Sequence, residues 1–186
     1  MASVSVSRIG LVGLAVMGQN LALNIAEKGF PISVYNRSSN KVDETVERAK
    51  QEGNLPLKGF YEPGEFIASI QKPRCVIILV KAGSPVDQTI DTLSKYLEAG
   101  DCIIDGGNEW YENTERRAEA VKSKGLLYLG MGVSGGEEGA RYGPSLMPGG
   151  TIEAYKYIED IVVKIAAQVN DGPCVTYIGD GGAGNF

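Results

Sequence analysis

Short apolar runs alternate with amphipathic segments along almost the whole of this chain of 186 residues. The apolar runs have the length of strands, and the segments between them repeat their apolar residues at helical spacing. The predicted strands cover residues 4–12, 32–35, 75–80, 102–105, 126–131 and 175–178. Strands that alternate with helices are typical of a parallel sheet covered on both faces. The pattern therefore predicts an α/β fold, a single domain built on a doubly wound, mostly parallel sheet of the Rossmann type.

The predicted helices carry start and stop signals of their own. The first follows a glycine turn near the start of the chain and ends at Gly29, a residue suited to a C-terminal cap. Ser84 is predicted to cap another helix, with Pro85 in its first turn and Asp87 three residues on. The helices after the first cover residues 40–52, 65–70, 84–100, 111–124 and 155–169. The stretch 130–150 is predicted to form one long glycine-rich loop.

Composition excludes several functional classes. Hydrophobic residues make up 43% and charged residues 22% of the chain, which is typical of a globular, soluble domain. The formal net charge of −5 argues against general binding of nucleic acid, although a local site for an anion stays open. The chain has no histidine, so a histidine-based triad and a histidine-ligated metal are excluded within it, and we expect no metal site.

The cysteines and the apolar runs bear on the compartment. Cys75, Cys102 and Cys174 lie far apart and form no CxxC pair, which favours reduced thiols in a reducing compartment. Residues 1–5 are too short and too polar for a secretion signal, and no apolar run is long enough to span a membrane. We therefore expect a cytoplasmic protein with no membrane partner.

The turn between the first strand and the first helix carries a nucleotide-binding motif. Gly13, Ala15 and Gly18 match the fingerprint GxGxxG, with alanine at its middle position. The first small residue permits the turn, the second lets backbone N–H groups approach a pyrophosphate, and the third lets the helix pack on the strand. The motif alone also fits an ordinary turn. The flanking strand and helix, and a second strand ending at Tyr35, favour a nucleotide site.

The end of the second strand indicates which nucleotide is bound. A cofactor without a 2′-phosphate is usually held there by an acidic residue, but this chain has Asn36, Arg37 and Ser38. A guanidinium beside hydroxyl donors suits a phosphate dianion, so the sequence predicts NADP rather than NAD. The alternative is that Arg37 is a solvated surface side chain.

Polar residues also follow the next two main strands, at the edge of the sheet where ligands bind in this fold. Lys81 follows an apolar run, and it is either a ligand contact or the solvated end of a strand. Asp105, two glycines and Asn108 end the next run. The glycines allow close approach of the backbone, and Asn108 offers both a donor and an acceptor. Asp105 could instead cap a turn.

The predicted loop 130–150 interleaves glycines with hydroxyl, carboxylate and guanidinium groups. Long structured loops are usually functional. Ser134, followed by Gly135 and Gly136, can present a hydroxyl and bare N–H groups to the carboxylate or hydroxyl of a substrate.

Together these motifs resemble the 6-phosphogluconate dehydrogenase family. The matching stretches are GLAVMG at residues 13–18, NRS at 36–38, VKA at 80–82, DGGN at 105–108 and SGGEEGARYGPSLMPGG at 134–150. The resemblance implies NADP contacts by Gly13, Leu14, Ala15, Val16, Met17, Gly18, Asn36, Arg37, Ser38, Val80, Lys81, Ala82 and Asn108. It implies contacts with the sugar acid by Asn108, Ser134, Gly135 and Gly136.

The resemblance also implies an activity that this chain does not complete. The family oxidises the C3 hydroxyl of 6-phosphogluconate by hydride transfer to NADP, and the β-keto acid then loses CO₂ to give ribulose 5-phosphate in the pentose phosphate pathway. The family's catalytic lysine and glutamate are expected beyond Phe186, with most groups that hold the substrate phosphate and a helical domain that builds a homodimer. We expect residues 1–180 to form an NADP-binding domain and residues 181–186 to start a truncated connection to that helical domain. No catalytic residue is expected in this chain, which should bind NADP without turnover.

Other functions stay open on the sequence. A β-hydroxyacid dehydrogenase of the 3-hydroxyisobutyrate type looks alike at the fingerprint and at the serine-glycine-glycine turn, although DGGN and residues 137–150 argue against it. A cofactor-binding module without catalysis fits a chain that lacks the family's lysine. A Rossmann domain with no ligand is disfavoured by Arg37 and by the polar groups at the strand ends.

Overall fold

The computed structural model describes residues 6–186, so residues 4 and 5 of the first predicted strand lie outside the described residues. Strands and helices alternate along the chain. They are β1 Ile9–Val12, α1 Val16–Glu27, β2 Ile32–Tyr35, α2 Ser39–Gln51, β3 Leu57–Phe60, α3 Pro63–Ala68, β4 Cys75–Ile78, α4 Ser84–Ser94, β5 Cys102–Asp105, α5 Tyr111–Lys122, β6 Leu127–Ser134, α6 Gly136–Tyr142, β7 Ser145–Gly150, α7 Ile152–Ile165, β8 Gln168–Val169 and β9 Gly172–Pro173. A 3₁₀ helix, Gly181–Asn185, follows them.

The main sheet has six parallel strands and a seventh, antiparallel strand at one edge. Its order is β3-β2-β1-β4-β5-β6-β7. β1 pairs with β2 on one side and with β4 on the other, so the strand order reverses between β1 and β4. Ligands of such sheets bind in the crevice at this point, outside the carboxyl ends of the strands. The order confirms the predicted doubly wound, mostly parallel fold.

Two apolar cores cover the two faces of this sheet. Ile9 and Leu11 of β1 belong to one core, whereas Val12 belongs to the other. β4 alternates in the same way, with Ile77 in the first core and Ile78 in the second. Helices α1, α2 and α7 pack on the first face, and α3, α4 and α5 pack on the second. Because successive side chains point to opposite faces, a strand covered on both faces is apolar throughout.

The loop predicted over residues 130–150 is wrong. β6 extends to Ser134, α6 covers Gly136–Tyr142, and β7 covers Ser145–Gly150. β7 pairs antiparallel with β6 along its whole length. Glycine and proline are depleted in strands, so the residues of β7 do not indicate a strand. Its backbone hydrogen bonds to β6 form it instead.

The strand predicted over residues 175–178 is also wrong. This segment makes only isolated parallel bridges with β7, at Leu146↔Val175 and Gly149↔Gly179. The register slips by one residue between the two bridges. Between them lies Pro148 of β7, which has no N–H to donate to a ladder.

Several helix boundaries differ from the predicted ones. α4 ends at Ser94 rather than near Gly100, and α7 ends at Ile165, so that Val169 lies in the short ribbon of β8 and β9. The predicted cap by Ser84 is wrong, because Gly83 is the N-cap residue of α4 and no side chain caps that helix. α3 begins before the predicted residue 65, with a proline in its first turn.

The last described segment packs on the sheet. The 3₁₀ helix Gly181–Asn185 lies against β6, β7 and α5. Thr114 of α5 donates a hydrogen bond of 2.9 Å to the side chain of Asn185. The segment therefore becomes part of the wall above the end of β6.

Candidate functional site

The turn between β1 and α1 depends on two close approaches of the backbone. Gly13 has a φ of +99°, and a Cβ there would lie 2.2 Å from the carbonyl oxygen of Leu79. A Cβ on Gly18 would lie 1.7 Å from the carbonyl oxygen of Gly13. Ala15 and Val16 are exposed, and the first turn of α1 carries no acidic side chain. The positive end of α1 is therefore open to an anion.

Asn36 ties the end of β2 to this turn. Its Oδ1 accepts a hydrogen bond of 2.9 Å from the N–H of Leu14, and its Nδ2 donates one of 3.2 Å to the carbonyl of Ser38. The carbonyl of Leu14 accepts from Gln19, and the Leu14 side chain is buried in the core. Asn36 and Leu14 therefore hold the two segments together. The NADP contacts that the resemblance implies for them stay predictions.

A first cavity of ≈ 480 Å³ opens between this turn, the end of β2 and α4. Among the predicted residues, its lining contains Gly13, Asn36, Arg37, Ser38, Val80 and Lys81. Residues 14–18 and Ala82 do not line it. The turn contributes through Gly13 and through the open end of α1 instead. The first cavity therefore brings the fingerprint together with the ends of β2 and β4.

Two cations of the first cavity are available to a ligand. Arg37 and Lys81 are both exposed, and neither belongs to an ion pair within residues 6–186. A surface arginine held by a neighbouring carboxylate would be a weaker candidate, because that carboxylate would compete with a bound anion. The electrostatics of this cavity suit a ligand that carries several negative charges.

A second cavity of ≈ 630 Å³ lies at the carboxyl ends of β5 and β6. Asn108 and Ser134 line it together, whereas Gly135 and Gly136 do not, being the N-cap and first residue of α6. The rest of its lining is Gly106, Gly107, Gly132, Val133, Met147, Ile178, Ala183, Gly184, Asn185 and Phe186. All of these lie within residues 6–186, and none has a charged side chain. The second cavity offers amide, hydroxyl and backbone groups only.

A buried cluster of charges joins the segments that line the two cavities. Arg117 of α5 donates hydrogen bonds to Glu109 at 2.6 Å, to the carbonyl of Gly83 at 2.9 Å and to Asp87 at 3.0 Å. The side chains of Arg117 and Glu109 are 2% and 3% exposed. Gly83 follows the Lys81 segment, and Glu109 directly follows Asn108.

The charges of this cluster are stabilised by their partners. Burial raises the pKa of Glu109, but hydrogen bonds from Arg117, Asn113 and the backbone outweigh burial and bring the pKa to about 2. Burial lowers the pKa of Arg117, yet Asp87 and Glu109 outweigh it and hold that pKa above its usual value. Both side chains are therefore charged throughout the physiological range.

Asp105 lies at the end of β5, next to this cluster. Its Oδ1 accepts a hydrogen bond of 3.0 Å from the N–H of Gly107, which confirms that it caps a turn. Tyr128 donates to its Oδ2 at 3.2 Å. Burial raises the pKa of Asp105, and these hydrogen bonds only partly offset it. Asp105 lines neither cavity.

Arg141, the guanidinium of the supposed loop, lies away from both cavities. It donates to Glu27 at 3.0 and 3.1 Å and to Glu52 at 3.1 Å. Glu27 is the last residue of α1, at the opposite end from the glycine turn. Arg141 therefore joins α6 to α1 and α2, and its side chain is only 6% exposed.

Sequence reasoning missed two walls of the cavities. One face of α4 lines the first cavity with Pro85, Gln88, Thr89 and Thr92, which recur at i, i+3, i+4 and i+7. That spacing could have identified the face once Lys81 was assigned to the cavity. Residues 183–186 line the second cavity, and no local pattern of theirs indicates it.

Comparisons with known proteins agree with this geometry. A family model described as the NAD binding domain of 6-phosphogluconate dehydrogenase matches residues 8–179. The chain is 79% identical over 180 residues to "6-phosphogluconate dehydrogenase, decarboxylating 1" of Spinacia oleracea, a match that covers 97% of this chain and 37% of the relative. It is 74% identical over 186 residues to "6-phosphogluconate dehydrogenase, decarboxylating 1, chloroplastic" of Arabidopsis thaliana, covering 100% of this chain and 38% of the relative.

Solved structures show the same likeness. The 6-phosphogluconate dehydrogenase of Plasmodium falciparum, solved in its apo form, with its cofactor NADP⁺ and with its substrate 6-phosphogluconate, has a TM-score of 0.91 and 57% sequence identity, covering 95% of this chain and 38% of that one. A 3-hydroxyisobutyrate dehydrogenase of Mycobacterium tuberculosis has a TM-score of 0.81 at 19% identity, over 97% of this chain and 57% of its own. The second likeness shows the fold alone.

The sheet order, the fingerprint turn and the first cavity define a nucleotide-binding domain of the Rossmann class. Because the family model covers nearly the whole chain, the chain belongs to the family of NAD-binding domains of 6-phosphogluconate dehydrogenase. The chain spans less than two-fifths of the length of the relatives it matches, at 37% and 38%.

Proposed function

We propose that this chain binds NADP with the adenosine half in the first cavity, and that it prefers NADP to NAD. The observation that carries the proposal is the place of Arg37, which is exposed beside Ser38 in the cavity that the fingerprint turn also lines. The open end of α1 suits the pyrophosphate, and the Arg37 guanidinium suits the 2′-phosphate. The face of α4 would hold the adenosine between them. The Plasmodium relative with NADP⁺ supports the same assignment.

We infer that the second cavity is one wall of a site for 6-phosphogluconate in a longer protein. Asn108 and Ser134 would hold hydroxyl or carboxylate oxygens of the sugar acid, and Gly135 and Gly136 would support the Ser134 segment. The Plasmodium relative solved with 6-phosphogluconate supports this substrate. The bound NADP would supply the hydride acceptor, whereas this chain's residues bind and orient the reactants.

The uncharged lining of the second cavity leaves three roles to other parts of such a protein. These are the base for the C3 hydroxyl, the acid for the enediol and the cations for the substrate phosphate. We propose that a helical domain beyond Phe186 supplies them and builds a homodimer, and that the whole protein performs the oxidative decarboxylation to ribulose 5-phosphate. On its own, this chain is then a cofactor-binding module.

The cellular compartment is proposed from the relatives that this chain resembles. No helix within residues 6–186 is long and apolar enough to cross a membrane. The 79% identical spinach relative carries no organelle in its name, whereas the 74% identical Arabidopsis relative is called chloroplastic. We propose the cytoplasm on this difference, and imaging of the tagged full-length protein in cells tests it.

The test of NADP binding is a fluorescence titration of this chain with NADPH and, separately, with NADH. A charged hydrogen bond to the 2′-phosphate contributes ~1.5–3 kcal/mol, so NADPH should bind roughly tenfold to a hundredfold more tightly. Equal dissociation constants for the two nucleotides would contradict the preference. Failure to bind either of them would contradict the proposed function itself.

A further inference from the structure

We propose that Arg117 and Glu109 are positioning residues, which fix the spacing between the first and second cavities so that one dinucleotide can reach both. Neither side chain lines a cavity, so neither would touch the cofactor. Each holds backbone next to residues that do. The inference rests on the proposed binding of NADP.

Gly83 is the point where this pair holds the Lys81 segment. Its N–H donates to Glu109 at 3.1 Å, and its carbonyl accepts from Arg117 at 2.9 Å. Both backbone groups of Gly83 are therefore bound by the same ion pair. Gly83 is also the N-cap residue of α4, so the pair fixes the start of the helix whose face lines the first cavity.

Glu109 holds the other segment, because it directly follows Asn108 of the second cavity. Its Oε1 accepts from the N–H of Trp110 at 2.9 Å and from Asn113 at 3.0 Å. Its Oε2 accepts from Gly83 and from Arg117. Two donors thus meet each oxygen. An amide in either orientation would point its NH₂ group at two of these donors, so a glutamine cannot replace the carboxylate here.

All three nitrogen atoms of the Arg117 guanidinium donate hydrogen bonds. Nη1 meets Glu109, while Nε and Nη2 both meet Asp87 in the first turn of α4, at 3.0 and 3.2 Å. A lysine carries one compact ammonium and cannot reach Glu109, Gly83 and Asp87 together. The pair therefore depends on planar geometry as well as on charge.

A bound dinucleotide would need both segments in place at once. A segment that is mobile in the free protein must be ordered when the ligand binds, and each such segment or side chain weakens affinity several-fold. If the ion pair already holds both segments in the free protein, this cost is removed. A ligand confined to the first cavity needs only one of the segments. Loss of the pair should therefore weaken the whole dinucleotide more than its adenosine half.

The experiment measures two ligands on the 186-residue chain and on its Glu109→Gln and Arg117→Lys variants. NADPH represents the whole dinucleotide, and adenosine 2′,5′-bisphosphate represents the half that fits the first cavity. We expect both variants to lose on the order of tenfold or more in affinity for NADPH and less than about threefold for the bisphosphate. A general loss of folded protein would lower both affinities in the same proportion.

Arg141→Lys is the matched control, because Arg141 is also a buried arginine that makes a bidentate contact with a glutamate. It should lower the thermal midpoint as Arg117→Lys does, and it should leave both affinities unchanged. The inference is overturned if the two test variants keep the NADPH affinity of the unchanged chain, or if they lose both ligands in equal proportion. If the unchanged chain binds no NADPH, the proposed function falls and the inference with it, which is a separate result.

Discussion

The two cavities of this molecule lie at the same edge of one sheet, yet the side chains that line them differ in charge. The first has two cations that form no ion pair within residues 6–186, Arg37 and Lys81, and the open positive end of α1. Of the twelve described residues that line the second, nine are glycine or apolar, and the polar side chains are those of Asn108, Ser134 and Asn185. The first offers cationic side chains to a multiply charged anion, whereas the second offers only neutral hydrogen-bonding side chains and backbone groups.

This difference separates two kinds of recognition. Taking a phosphate out of water is costly unless cations or N–H groups replace its hydration. Within the described residues, the first cavity offers cations for this, whereas the second offers backbone groups but no cationic side chain. Under the proposed function, the groups that recognise the cofactor would lie in this chain, whereas cations for the substrate phosphate would come from other parts of the protein.

The largest expected effect of this difference between the cavities is on the rate of turnover. We expect this chain to form no detectable NADPH from NADP and 6-phosphogluconate, while a protein of the full length of the relatives does. A missing general base costs about 10²- to 10⁴-fold in rate, and missing phosphate contacts remove binding energy that supports the transition state. NADPH absorbance, followed on both proteins side by side, measures the difference. Comparable rates would mean that the second cavity is already complete.

Removal of the guanidinium from the first cavity should have the next largest effect. Arg37→Ala should weaken NADPH binding roughly tenfold to a hundredfold and leave NADH nearly unchanged, because only NADPH carries the 2′-phosphate. Arg8→Ala is the control for the lost charge, since Arg8 pairs with Asp160 near the start of β1. If Arg37→Ala weakens both nucleotides alike, the first cavity does not discriminate by charge.

The smallest effect is expected for Asn36, which shapes the first cavity without adding charge. Asn36→Ala removes the acceptor for the Leu14 N–H and should weaken NADPH and NADH alike, by about twofold to tenfold. Asn36→Asp keeps the acceptor but adds a negative charge beside Arg37. It should therefore weaken NADPH and spare NADH. The same titrations measure both variants, and a NADPH-specific loss in Asn36→Ala would give Asn36 a role in 2′-phosphate recognition instead.

The strands that could be predicted are those in the interior of the sheet. β1, β2, β4 and β5 are covered on both faces, so their residues are mainly apolar, with Ser33 in β2 and Asp105 at the end of β5 as the polar exceptions. β3 and β7 are the two edges, and each forms because a neighbour pairs with it. In β3, a Cβ on Gly59 would lie within 2.7 Å of side chains of α2, so packing selects a residue that weakens the strand signal.

The site residues also divide into those that the sequence could predict and those that it could not. Arg37, Lys81 and Asn108 follow strand ends, and topology brings the ends of parallel strands to one edge. Arg117 could not be predicted, because it lies inside α5 and its partners are set by how α4 and α5 pack. The α4 face of the first cavity mixes hydroxyl and amide groups, which in sequence look like a solvated helix surface. They line a cavity only because the turn after β1 and the end of β2 lie opposite them, which helical spacing does not reveal.

Glycines of three segments meet where the 3₁₀ helix Gly181–Asn185 packs on β6 and β7. A Cβ on Gly184 would lie 2.2 Å from the carbonyl oxygen of Gly130 and 2.7 Å from the nitrogen of Gly149, and one on Gly149 would lie 2.3 Å from the nitrogen of Gly184. The nearest obstructing atoms of Gly149 and Gly184 all belong to the backbone, including the carbonyl oxygen of Met147 at 2.5 Å from a Cβ on Gly184, so a smaller neighbouring side chain would not remove them. No second-site substitution can therefore restore the space that one added methyl would take. A substitution of Gly149 or Gly184 therefore requires the backbone itself to move, so this wall of the second cavity has few compensating changes open to it in sequence.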